Sequence, residues 1–155
     1  DARLGASGDA LPVLDAVTDD AILAVCAEAV GILQVLVDKT VDYSKNRVQF
    51  GVPIGSFQAL QHRMVDMLTG LEQTRSLLWW ATMTVAEGGD DAKRAVSAIK
   101  YQVGTTGQRI AEEAVQLHGG MGVTWELDVA HYFKRLIAIG RVFGDADWHL
   151  DKLAG

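Results

Sequence analysis

Thr18 to Val37 read TDDAILAVCAEAVGILQVLV, and this stretch decides the fold class. From Ala21 onward apolar side chains crowd nearly every face of a 3.6-residue period, the pattern of a helix buried in a bundle or an oligomer interface. Glu28 and Gln34 interrupt the run, which falls short of the roughly 20 apolar residues of a bilayer span, so it reads as a core helix with no membrane partner. Thr18 stands as an N-cap, with Asp19 and Asp20 suited to the positive end of the helix. The helix is expected over 18–47 and turns polar from Asp38.

Outward from this helix, Pro and Gly punctuation sets the remaining elements. Gly51, Pro53 and Gly55 mark a loop over 48–56. A second helix is expected over 56–87, with a stripe of Phe57, Leu60, Met64, Met67, Leu68, Leu71, Leu78 and Met83. The three methionines of this helix are expected in the core, as is one of Trp79 and Trp80. Gly88 and Gly89 stop it.

Asp90 or Asp91 then caps a third helix that reaches about Leu117 and ends at Gly119 and Gly120. Its core stripe is Val96, Ile99, Val103, Ile110, Ala114 and Leu117, with Lys93, Arg94, Lys100 and Arg109 on the solvent face. Short helices follow near 126–135 and 146–153, joined by the apolar, Gly-interrupted stretch 136–144. No strand-like alternation of useful length is present. The fold class is all-α: an antiparallel up-down helical bundle of three long helices plus shorter C-terminal helices. Residues 1–17 lack a strong period and an initiating Met, and are expected to be the tail of a preceding domain or a linker in a fragment or processed chain, with the bundle filling 18–155.

The 155 residues suit one domain, and the net charge of −6 excludes nucleic acid as a partner. The single cysteine, Cys26, sits among apolar neighbours and reads as a small buried hydrophobe in a reducing cytoplasm. No metal is expected: His62, His118, His131 and His149 are scattered, and no Glu-x-x-His spacing occurs.

Two clusters stand out. Arg47-Val48-Gln49-Phe50-Gly51 offers a guanidinium fork beside an aromatic face, and Gln116-Leu117-His118-Gly119-Gly120-Met121-Gly122 sets a side-chain amide before a glycine-lined bend with open backbone donors. In an up-down bundle the ends of the first and third helices lie on the same side, so the two clusters can converge on one anionic ligand.

Tyr43, Arg47-Val48-Gln49-Phe50-Gly51-Val52-Pro53-Ile54 and Phe57-Gln58, followed by Ala114-Val115-Gln116-Leu117-His118-Gly119-Gly120-Met121-Gly122, resemble the C-terminal helical domain of acyl-CoA dehydrogenases. The resemblance runs from about Thr18 onward, with both motifs in family order. It implies FAD as cofactor and acyl-CoA as substrate: a glutamate takes the α-proton and the flavin accepts hydride from the β-carbon. It implies flavin contacts for Arg47, Gln49, Phe50, Gln58, Gln116, Gly119 and Gly120, made to the ADP part of an FAD housed largely by a neighbouring subunit. It implies a homo- or hetero-oligomer, a dimer of dimers.

Against the family pattern, Phe143 stands where many members carry the catalytic glutamate, and Asp145 where they carry a flavin-contacting threonine. The other family location for the base, near Ala21, is also inert. A phenylalanine cannot accept a proton, so no catalytic residue is assigned. The resemblance then implies a non-catalytic subunit of a heteromeric acyl-CoA dehydrogenase, a group that includes bacterial enzymes acting on steroid side-chain thioesters. The alternative is a helical oligomerisation or interaction module that no longer binds flavin.

Overall fold

The computed structural model describes Gly8 and residues 10–155. The first helix, α1, spans Ala10–Asn46. It starts well before Thr18, because Pro12 lies in the first turn, where its missing N–H has no helical partner to lose. Thr18 is therefore not a cap: its hydroxyl donates back to the Leu14 carbonyl at 2.7 Å within the helix. Asp19 and Asp20 likewise sit inside α1. Much of the expected tail lies outside the described residues. The apolar run behaves as its pattern demands, with Ile22, Cys26, Ala29, Val30, Ile32, Leu33, Leu36 and Val37 all buried.

A two-residue hairpin follows, β1 (Val48–Gln49) against β2 (Val52–Pro53), then a single 3-10 turn at Ile54–Ser56 and α2 (Gln58–Glu87). The expected third helix is interrupted. It comprises α3 (Ala92–Gln102), a π-helical turn Val103–Gly107, and α4 (Gln108–His118). The wider turn falls where neighbours press close: a Cβ at Gly104 would sit 3.1 Å from that of Ala146, and one at Gly70 would sit 2.8 Å from the Thr106 methyl. Asp91 occupies the N-cap position of α3, but its side chain caps nothing. After a 3-10 segment at Gly119–Val123 come α5 (Val129–Arg141), which absorbs residues 136–141 of the expected linker, and α6 (Ala146–Ala154).

Cross-links between helices give the up-down order. Ser44 meets Met64 and Arg63 pairs with Glu113 at 2.6 Å, so the end of α1, the start of α2 and the end of α4 share one end of the bundle. At the other end Asp15 pairs with Lys93 at 2.8 Å, joining the starts of α1 and α3. Lys39 pairs with Asp128 and Glu28 with Arg135, which runs α5 antiparallel to α1. The core gathers α1, Met67 and Leu71 of α2, the stripe Val96, Ile99, Val103, Ile110, Ala114 and Leu117, and Val129, Leu136 and Ile139 of α5.

Several core expectations need correcting. Trp79 (64 % exposed) and Trp80 (44 %) both face outward, as do Met83 (57 %), Leu68 and Phe57. Here α2 has neighbours on one side only, so its apolar residues exceed what that side can bury. Lys100, expected in solvent, is fully buried. Leu33 is also fully buried and lies 3.9 Å from where a Cβ at Gly107 would stand. Leu33→Ala should therefore cost about 2–5 kcal/mol, measured by urea unfolding; a loss under about 1 kcal/mol would place the core elsewhere.

Candidate functional site

Arg47 directly follows α1. Its amide donates to the Tyr43 carbonyl and its carbonyl accepts from Ile54, both at 2.8 Å, so its backbone is fixed by the helix end and the returning hairpin together. Gln49 pairs with Val52, leaving Phe50 and Gly51 as a two-residue turn with φ of 54° and 81°. Two successive positive φ values are what a type I′ turn requires, and they suit the strand twist. Phenylalanine at such a position costs roughly 1–2 kcal/mol, yet Phe50 is 93 % exposed, with its ring edge-on to that of Phe57.

Across the bundle end, α4 stops at Gly119, whose φ of 62° suits glycine and whose Cβ side is open space. His118 is buried under Tyr43, ring centroids 4.5 Å apart, and its Nδ1 lies 2.7 Å from the Ala114 carbonyl. A carbonyl only accepts, so Nδ1 carries the proton. The two ends together form an open recess of about 430 Å³ lined by Tyr43, Arg47, Gln49, Gln116, Gly119 and Gly120, with Ile54, Leu117, His118 and Met121 completing it.

Of the residues singled out in the sequence, Arg47, Gln49, Gln116, Gly119 and Gly120 are therefore brought together. Phe50 stands at the hairpin tip beside the recess, and Gln58, the first residue of α2, lies outside its lining. Arg47 is exposed and, among the described residues, forms no ion pair, so its guanidinium is available to an anion. The Gln49 amide is turned onto the Val48 carbonyl at 2.7 Å.

A second built feature sits at the loop between α5 and α6. Phe143 has φ 62° and Gly144 φ 99°. Asp145 caps α6 by accepting from the Trp148 amide at 3.0 Å. Lys100 Nζ donates to the Gly140 and Gly144 carbonyls at 3.1 and 2.7 Å. Burial lowers its pKa, opposed by Cys26 and Asp145. Burial in turn pushes the Cys26 thiol up to about 12, which fits an inert core residue. His149 is buried, with Nε2 3.1 Å from the Phe143 carbonyl. The spacing of Val96, Lys100 and Val103 at i, i+4 and i+7 already puts Lys100 on the core face, and that was the signal to read.

A family model of the acyl-CoA dehydrogenase C-terminal domain matches residues 17–154. The chain belongs to this family. It is 37% identical over 135 residues to acyl-CoA dehydrogenase IpdE2 of Mycolicibacterium smegmatis, covering 87% of this chain and 42% of that protein. Among solved structures, a variant of the Tcur3481-Tcur3483 steroid ACAD superposes with a TM-score of 0.84 at 32% identity. The ChsE4-ChsE5 complex of Mycobacterium tuberculosis gives 0.83 at 31%. Each of these matches covers 88% of this chain and 37% of the solved chain. The domain thus spans about two fifths of its relatives' length.

In this acyl-CoA dehydrogenase domain, burial lowers the His149 pKa from 6.5, aided by Lys100 and Lys152 and opposed by the Phe143 carbonyl and Asp145. A depressed folded pKa means that the unfolded chain binds the proton more readily. The stability contribution is present above about pH 6.5 and is lost as pH falls below it. His149→Gln should flatten the fall in urea midpoint between about pH 7.5 and 5.5; an unchanged slope would mean that His149 does not titrate in the fold.

Proposed function

We propose that this domain belongs to an FAD-dependent acyl-CoA dehydrogenase that oxidises acyl-CoA thioesters at the α,β position, and that it lends a half-site to flavin held mainly by a neighbouring subunit. The observation that carries this reading is the convergence of Arg47, Gln116, Gly119 and Gly120 on one recess. The recess fits a diphosphate: a free guanidinium supplies a bidentate fork, and the open side of Gly119 lets a ligand approach the backbone. Bound FAD would supply the hydride acceptor. The chain's own part is to bind and orient the ADP end, with Tyr43 and His118 as the wall of the recess and Gln116 as an amide donor. Phe50 and Gln58 are assigned to the rim of the same contact.

The chain is proposed to be non-catalytic. Phe143 occupies the place of the family glutamate and holds no proton acceptor, and Asp145 spends its carboxylate on capping α6. A paired assembly agrees with the complexes that this domain resembles, and the base is proposed to reside in a partner chain. Steroid-type thioesters are the substrate class, in keeping with the steroid ACAD among those complexes. A dimer of dimers in a reducing cytoplasm is the proposed setting.

The second reading, an interaction module without flavin, is favoured by one observation: Val65, Leu68, Trp79, Trp80 and Met83 expose an apolar face along α2. Arg47→Ala separates the two. Losing a charge-assisted fork should weaken FAD retention in the assembled full-length protein by about tenfold or more, measured by equilibrium dialysis of the flavin. Retention equal to wild type would favour the module.

A further inference from the structure

We propose that Lys100 and His149 are positioning residues that preset the Gly140–Gly144 loop and so fix where the side chain at position 143 stands. The inference rests on the reading above, in which Phe143 occupies the place of the family glutamate, and its test needs neither flavin nor thioester.

Lys100 is fully buried on the core face of α3, where a Met or Leu would fill similar space without bringing an ammonium out of water. Its charge meets no carboxylate at ion-pair distance among the described residues; it meets two carbonyls instead. Gly140 belongs to the last turn of α5, where carbonyls lack helical partners and a cation is favoured. Gly144 lies beyond that turn, so one ammonium ties the helix end to the far side of the loop.

His149 reaches the same loop from α6. Its partner, the Phe143 carbonyl, only accepts, so Nε2 carries the proton and Nδ1 is the bare, buried nitrogen without a partner. Three carbonyls, at positions 140, 143 and 144, are thus taken by two side chains from two helices. The Val142 amide donates to Ala138 at 3.1 Å, and Asp145 closes the segment by capping α6. At Gly144 a Cβ would strike the Trp148 ring at 2.5 Å, which leaves glycine alone able to pass.

Phe143 sits inside this frame at φ 62°, a conformation that costs a side-chain-bearing residue roughly 1–2 kcal/mol. Its side chain stays 41 % exposed and is not among the buried core residues, so core burial does not explain the conformation. A backbone held at every turn around an outward-facing side chain is built to present that side chain. The hydrogen bonds of the frame go to backbone carbonyls, so they do not depend on which side chain stands at position 143.

Limited chymotrypsin digestion of the full-length chain reads the loop directly, with cleavage after Phe143 mapped by mass spectrometry. Phe50, at the exposed hairpin tip, is the internal control for global loosening. Lys100→Met and His149→Leu should each speed cleavage after Phe143 by about tenfold, leaving cleavage after Phe50 unchanged. His149→Gln retains a donor for the Phe143 carbonyl and should return to near the wild-type rate. Should Lys100→Met fail to fold, the Leu and Gln variants at 149 decide alone. Rates after Phe143 no faster than wild type, an equal rise at Phe50, or a Gln variant behaving like the Leu variant would overturn the proposal.

Discussion

The recess exists because α1 lies parallel to the α3–π–α4 rod, and that alignment is set by the apolar run of α1. Ile22, Cys26, Ala29, Leu33 and Leu36 pack from one end of the bundle toward the other. Once they do, the end of α1 and the end of α4 must meet. Arg47 follows the one and Gly119 the other, each released from helical geometry where the chain turns. Hydrophobic burial, which is non-directional, supplies the energy; the register of α1 against the rod, with Asp15 beside Lys93 and Tyr43 beside His118, supplies the placement. The surface ion pairs at either end, Asp15–Lys93 and Arg63–Glu113, mark the register and add little energy on their own.

Polar chemistry is distributed unevenly over the molecule. The recess keeps its guanidinium in solvent, available to an anion, with Tyr43 and His118 as a rigid floor. The α5–α6 loop does the opposite: it buries a lysine and a histidine, and uses both to hold backbone carbonyls. One feature is prepared for a ligand's charge, the other for a side chain's position. On the reading proposed above, the two features belong to a chain that keeps the framework of a dehydrogenase site with Phe143 in place of the proton acceptor.

Much of this was legible in the residues. The all-α bundle follows from the run in α1 and from the stripe Val96, Ile99, Val103, Ile110, Ala114 and Leu117, which is buried throughout. The convergence of Arg47 with Gln116 follows from helix count alone. What escaped has physical reasons. Thr18 followed by Asp19 and Asp20 has the pattern of a helix start, yet the same residues fit inside a helix, and α1 begins at Ala10. The π turn at Val103–Gly107 leaves the apolar stripe intact and so leaves no trace in the pattern. Lys100 was assigned by residue type to solvent although its register is that of the core. Met83 and one of Trp79 and Trp80 are expected inside, yet all three face outward, because apolarity shows a demand for burial and not which surface meets it.

The central claim is that this chain lends its recess to flavin in an assembly whose base resides in another chain. The most direct measurement is FAD content per dimer and acyl-CoA dehydrogenation for the complete subunit, purified alone and after co-expression with a candidate partner subunit that carries the glutamate. The account predicts no turnover for the subunit alone, and flavin retention with turnover for the pair. Full dehydrogenase activity in a pure homo-oligomer of the complete subunit would contradict it.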